Sequence, residues 1–213
     1  MADPPVDHGL RRLLGIERSG PLPAETLAGR PLRPWTVPNA IGFVRLALIP
    51  VFLIVELSSA DGTSALGAAL FAIIAAADYA DGIAARITGQ YSRLGALMDP
   101  VTDRLLVIAG VVVCWRFQLL PRWALALLAA REVLMLVLAR YGVSHRLELR
   151  INWPGRLAVA PVMGGLFFAL AGVRVLGEVL LYCGLALALV ATVLYMREGR
   201  RRLRESRRTP AGS

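Results

Sequence analysis

Four aspartates stand where an otherwise apolar sequence has little use for charge: Asp78 and Asp81, then Asp99 and Asp103. The first two are spaced i, i+3 and the second two i, i+4, so on helices each pair shares one face. A short connection makes the two helices antiparallel neighbours, and the four carboxylates can then converge at one depth. Like charges so placed repel unless a cation neutralises them. Such a group lines a wet cavity, pairs with cations or binds metal. Oxygen-only ligation at this spacing points to Mg²⁺ or Mn²⁺, and divalent ions held by carboxylates suit a phosphate-bearing substrate. The intervening residues extend this reading. Gly82 lets a ligand approach the backbone, Ala85 keeps the Asp81 face low, and Arg86 can reach a phosphate. Gly95, four residues before Asp99, clears the same face of the second helix. Small residues in membrane helices also serve close packing, but the whole set together favours a site.

The elements that must hold these residues are long apolar runs. The chain has 213 residues, 56% hydrophobic and 18% charged, against about one quarter charged in soluble proteins. That balance excludes a disordered basic tail protein and a soluble DNA-binding domain. Two cysteines, Cys114 and Cys183, both inside apolar runs, exclude a disulfide-stapled fold. The runs lie at 39–57, 65–87, 95–117, 122–141, 154–173 and 175–196. Each approximates the ~20 residues a helix needs to cross the bilayer core, and helices are the only open spanning form lipid tolerates. The expected fold is all-α: six transmembrane helices, with the active site at the cytoplasmic ends of helices two and three. An isolated aspartate inside such a helix costs about 2.5–3.5 kcal/mol or more, too much for packing alone to justify four.

All 24 basic residues are arginine, and with 15 acids the net charge is +9. Residues 1–35 form a polar, proline-containing segment without an apolar leader. Residues 36–196 form the helical domain. Residues 197–213 form a tail holding seven arginines. The tail reads as a topogenic stop that also touches anionic lipid, rather than as a nucleic-acid site. Arginines cluster in the tail and in the connections after spans two and four, so positive-inside counting puts both termini in the cytoplasm. The four tryptophans fall near span ends, as interfacial anchors do.

The full pattern is Asp78-x2-Asp81-Gly82-x2-Ala85-Arg86-x8-Gly95-x3-Asp99-x3-Asp103. It resembles the signature of the CDP-alcohol phosphatidyltransferase family at every position. The run Thr36 to Arg45 is similar to the start of the first span in bacterial members. The resemblance covers about residues 36–196. It implies transfer of the phosphatidyl group of CDP-diacylglycerol to an alcohol, with release of CMP, by a multi-pass homodimer of the plasma (inner) membrane. It implies that Asp78, Asp81, Asp99 and Asp103 ligate two divalent ions, Mg²⁺ or Mn²⁺, and that Asp103 is also the general base. It implies that Asn39, Gly82, Arg86, Ser92 and Gly95 meet the CDP-lipid.

Three arginines in later spans, Arg131, Arg140 and Arg156, are candidates to bind an anionic acceptor; Arg131 can instead pair with Glu132. The stretch Ala130-Arg131-Glu132 and then Gly155-Arg156 resembles the glycerol-accepting branch. That branch holds the phosphatidylglycerophosphate synthases and the cardiolipin synthases of the same fold. Bacterial phosphatidylglycerophosphate synthases commonly read Gly-Lys-x-Lys-Thr where this chain has Gly155-Arg156-Leu157-Ala158-Val159. Glycerol 3-phosphate is the favoured acceptor, with phosphatidylglycerol the competitor and inositol phosphate or serine further behind. A membrane prenyltransferase would lack the Gly-x2-Ala-Arg continuation. An ion or proton transporter would scatter its acids through the bilayer depth.

Overall fold

A computed structural model describes residues 34–144 and 153–208, and they are helical with no strand among them. Six helices follow in order: α1 Val37–Leu57, α2 Ala65–Thr88, α3 Arg93–Arg116, α4 Arg122–Ser144, α5 Trp153–Leu170 and α6 Arg174–Arg208. Each covers one of the six apolar runs. Three stretches, Val37–Leu57, Ala65–Thr88 and Arg174–Arg197, are long and apolar enough to cross a membrane, and Leu157–Leu170 in α5 is apolar but shorter. In α3 charge explains the difference, since it carries Arg93, Asp99, Asp103, Arg104 and Arg116. The chain is thus an all-helical membrane protein.

The chain divides into two compact units. The first joins α1 and α2 to α3 as far as residue 109. α1 starts on a side-chain cap: the Asn39 N–H donates to Thr36 Oγ1 at 3.3 Å. Pro38 sits in the first turn, where its missing N–H costs nothing. α1 and α2 meet through Ile49, Phe52, Phe71 and Ile74, all buried, with the Phe52 and Phe71 rings 5.6 Å apart. At Gly67 a Cβ would fall 2.0 Å from Glu56 Oε1, so the glycine makes room for the buried Glu56 carboxyl.

The second unit holds residues 59–64 and the chain from 110 onward. In its 59–64 turn the Thr63 hydroxyl and backbone N–H both donate to Asp61, which holds that carboxyl below the usual range. α5 ends in a Schellman cap: the Val173 N–H reaches Phe168 O at 2.8 Å and the Gly172 N–H reaches Ala169 O at 3.1 Å. Gly172 stands at φ +82°, where an L side chain is strained. α5 then packs backbone to backbone on α6. A Cβ on Gly165 would lie 2.8 Å from Leu181 N and 3.0 Å from Gly177 O, and one on Gly184 would lie 2.8 Å from Val162 N. Small residues at such a crossing allow the close approach that drives helix association in lipid. Gly165→Val is therefore expected to lower the thermal midpoint in detergent and to cost about 1–3 kcal/mol by overpacking. An unchanged melting curve would show that the seam can spread at no cost.

α6 is longer than its apolar run. The helix continues through the arginine-rich segment to Arg208, giving 35 residues, or about 52 Å at 1.5 Å per residue.

Candidate active site

The signature residues gather in the first unit. Asn39, Asp81, Gly82, Arg86, Ser92, Gly95 and Asp99 line a single cleft of about 190 Å³, joined there by Pro38, Gly42, Ala85, Gln90, Tyr91, Ala96 and Met98. The walls are the first turns of α1 and α3 and the last turns of α2. The N–H groups of Val37, Asn39 and Gly95 are taken by Gln90, Thr36 and Ser92, but the positive end of each helix dipole remains, so two of the three walls favour an anion.

The mouth is braced by a polar latch. Ser92 Oγ accepts from the Gly95 N–H at 2.9 Å and so caps α3, while its hydroxyl donates to Asn39 Oδ1 at 2.8 Å. Asn39 Nδ2 donates to Pro34 O at 3.1 Å, and the Val37 N–H donates to Gln90 Oε1 at 3.0 Å. A Cβ on Gly95 would lie 2.8 Å from Asn39 Oδ1. Here the structure refines the expectation for Gly95: what it clears is the Asn39–Ser92 hydrogen bond. Gly82 does leave space beside the backbone. Arg86 fills it, its Nη1 standing 3.5 Å from where a Cβ would be.

The aspartates are organised by a residue outside the signature. Arg45, in the middle of α1, is 1% exposed. Its Nη1 donates to Asp78 Oδ1 at 2.9 Å and to Asp81 Oδ2 at 3.0 Å, its Nη2 to Asp103 Oδ1 at 2.9 Å, and its Nε to Ile74 O at 3.1 Å. Asp81 is 8% exposed at the side chain, against 43% for Asp78 and 42% for Asp103. Asp81 therefore faces both ways, toward Arg45 and into the cleft, and Asp99 looks into the cleft from α3. Among the described residues no group of three or more His, Cys, Asp or Glu side chains is drawn together tightly enough to share an ion. The centre of the three carboxylates is taken by the guanidinium.

The sequence reading passed over Arg45 as a site residue. The available signal was a single arginine within 21 otherwise largely apolar residues, where a permanent charge requires buried partners. Gln90, Tyr91 and Met98 were also missed: Gln90 and Tyr91 enter the cleft from the α2–α3 connection, and Met98 stands at an unspecified position of the motif on α3.

Arg131 lies in the second unit, where it pairs with its neighbour Glu132 and donates from Nε to Thr192 Oγ1 at 3.3 Å. That is the ion-pair alternative, made within one helix. The side chains of Arg140 and Arg156 lie outside the described residues, as does the connection 145–152.

Known proteins resemble this chain over the same region. A Streptomyces coelicolor protein named cardiolipin synthase (CMP-forming) is 36% identical over 139 residues, 60% of this chain and 61% of that one. A Mycobacterium tuberculosis protein provisionally named a cardiolipin synthase is 35% identical over 168 residues, 76% of this chain and 78% of that one. A Bacillus subtilis protein named CDP-diacylglycerol–glycerol-3-phosphate 3-phosphatidyltransferase is 35% identical over 148 residues, 61% of this chain and 77% of that one. The family described as CDP-alcohol phosphatidyltransferase matches residues 35–190, a stretch that takes in the four aspartates, Arg45 and the whole cleft. The sequence signature and the gathered site thus coincide with one matched region, and the chain belongs to the CDP-alcohol phosphatidyltransferase family.

Proposed function

We propose that the protein is an enzyme of phospholipid biosynthesis that transfers the phosphatidyl group of CDP-diacylglycerol to a glycerol-type alcohol, releasing CMP. The observation that carries this reading is the cleft itself. Two helix N-termini, Arg86 and the carboxylates of Asp81 and Asp99 surround one space in a chain of this family.

The roles follow from the chemistry of each group. The α1 and α3 N-termini and the forked guanidinium of Arg86 hold the diphosphate of the CDP-lipid. The acceptor oxygen attacks the phosphorus that bears diacylglycerol. A new O–P bond forms, the bond to the CMP oxygen breaks, and CMP leaves. The hydroxyl proton passes to the Asp103 carboxylate. The donor chemistry suits Mg²⁺ or Mn²⁺, which take hard carboxylate oxygens, and an ion at this centre would have to displace the Arg45 guanidinium from Asp78, Asp81 and Asp103. Asp78, Asp81, Asp99 and Asp103 are the residues to hold two such ions. When bound, the ions would offset negative charge on the diphosphate and on the leaving CMP.

All six helices span the plasma (inner) membrane in this reading, with the termini and the cleft on the cytoplasmic side where nucleotide and lipid meet. The protein works as a homodimer, with its arginine-rich end near anionic lipid and no nucleic-acid partner. The favoured acceptor is glycerol 3-phosphate. A second reading, phosphatidylglycerol, is favoured by the sequence at Ala158 and Val159, which stand where bacterial phosphatidylglycerophosphate synthases commonly carry a lysine and a threonine. Purified protein given CDP-diacylglycerol and each acceptor separately, with lipid products identified by mass, is expected to yield phosphatidylglycerophosphate from glycerol 3-phosphate. Product only from phosphatidylglycerol reverses the order, and no CMP with any alcohol overturns the activity.

A further inference from the structure

The guanidinium of Arg45 stands where the carboxylates converge, and it is fully engaged. Three of its nitrogens make four hydrogen bonds, three of them to Asp78, Asp81 and Asp103. Arginine does not give up its proton in proteins, so this buried charge is permanent. Without it, the three carboxylates would converge on one centre with no opposite charge between them, and like charges so placed repel.

We propose that Arg45 is a resident substitute for the divalent ion. It neutralises the aspartates with a cation built into the chain, and it thereby weakens their hold on a free ion. The proposal rests on the metal reading given above, and it concerns what Arg45 does toward that ion. A divalent cation approaching Asp78, Asp81 and Asp103 meets a positive charge already hydrogen-bonded to one oxygen of each. It must compete for those oxygens and bear the repulsion of the guanidinium. The fold, in turn, does not depend on the ion. Arginine suits this role better than lysine, since its planar fork reaches several carboxylates at once while an ammonium is a compact point charge.

The test uses the full chain in detergent micelles, stripped of metal and titrated with Mn²⁺. Free Mn²⁺ is followed by its electron paramagnetic resonance signal, and thermal unfolding is measured in EDTA and in Mn²⁺. Arg45→Met is expected to bind Mn²⁺ about tenfold or more tightly than wild type, because one nearby positive charge is gone. Its melting temperature in EDTA falls, and Mn²⁺ raises it by more than it raises wild type, as tighter binding to the folded state requires. Arg45→Lys keeps the charge and returns Mn²⁺ affinity toward wild type, a rescue that a packing role would not produce. If Arg45→Met does not fold, Arg45→Gln removes the charge while keeping a polar end and is read by the same criteria. Equal or weaker Mn²⁺ binding in the uncharged variant overturns the substitute-cation role and leaves the metal site standing. No Mn²⁺ bound by either wild type or the uncharged variant overturns the metal reading and this proposal together.

Discussion

Asp103→Asn is expected to abolish phosphatidyl transfer while CDP-lipid is still bound. The substitution keeps the shape of the side chain, and its amide oxygen can still accept from Arg45 Nη2, which stands 2.9 Å from Asp103 Oδ1. What disappears is the carboxylate that takes the acceptor's proton. Removing a general base costs roughly 10²–10⁴-fold in rate. The nucleotide contacts assigned to Arg86 and to the first turns of α1 and α3 are untouched, and Asp103 is not among the cleft-lining residues. Two measurements separate the effects. CMP release from CDP-diacylglycerol with glycerol 3-phosphate should fall by that factor. Protection of the variant against thermal unfolding by CDP-diacylglycerol should keep a midpoint within a few-fold of wild type. Full activity in the variant would remove Asp103 as the base. A loss of lipid protection in step with activity would make it a binding residue instead.

Chelation is expected to have an effect as large. In EDTA the wild-type protein should release no CMP above background, and Mg²⁺ or Mn²⁺ should restore it. The argument is electrostatic. A CDP-lipid diphosphate entering a cleft that holds Asp81 and Asp99 brings negative charge to negative charge, and Arg86 and two helix ends offset only part of it. Ions offsetting the diphosphate are worth several kcal/mol in the transition state, a factor of roughly 10³ or more. Turnover that continues unchanged in EDTA would sink the proposed mechanism. Because Arg45 already neutralises part of the acid cluster, the melting temperature should respond much less to EDTA than the rate does.

The aspartate cluster was legible because its information is local. Spacings of three and four residues place side chains on one helical face whatever the rest of the chain does, and a short α2–α3 connection brings the two faces together. Helix positions were legible for a similar reason, since apolar runs of about twenty residues leave little choice of structure. Arg45 was not legible as the partner of the aspartates because it lies 33, 36 and 58 residues from the three acids that it joins. No spacing rule spans that distance. The end of α6 was read as a tail because hydropathy stops near residue 196. The backbone there follows helix propensity instead, since Arg, Glu and Leu are good helix formers. The acceptor side was the least legible. Arg131 could as well pair with Glu132 as bind a ligand, and its spacing does not decide between them; in the structure it pairs with Glu132.

The Arg45 cluster also bears on how the protein enters the bilayer. A chain emerging from the ribosome presents α1 first, and at that moment Arg45 has none of its acids. A lone arginine at the centre of a helix resists release into lipid by about 2.5–3.5 kcal/mol. Asp78 and Asp81 arrive with α2 and meet the same resistance alone, and Asp103 follows on α3. Each charge becomes acceptable to the membrane only beside the others. The first three helices are therefore expected to enter the bilayer together, since each carries a charge that another of them neutralises.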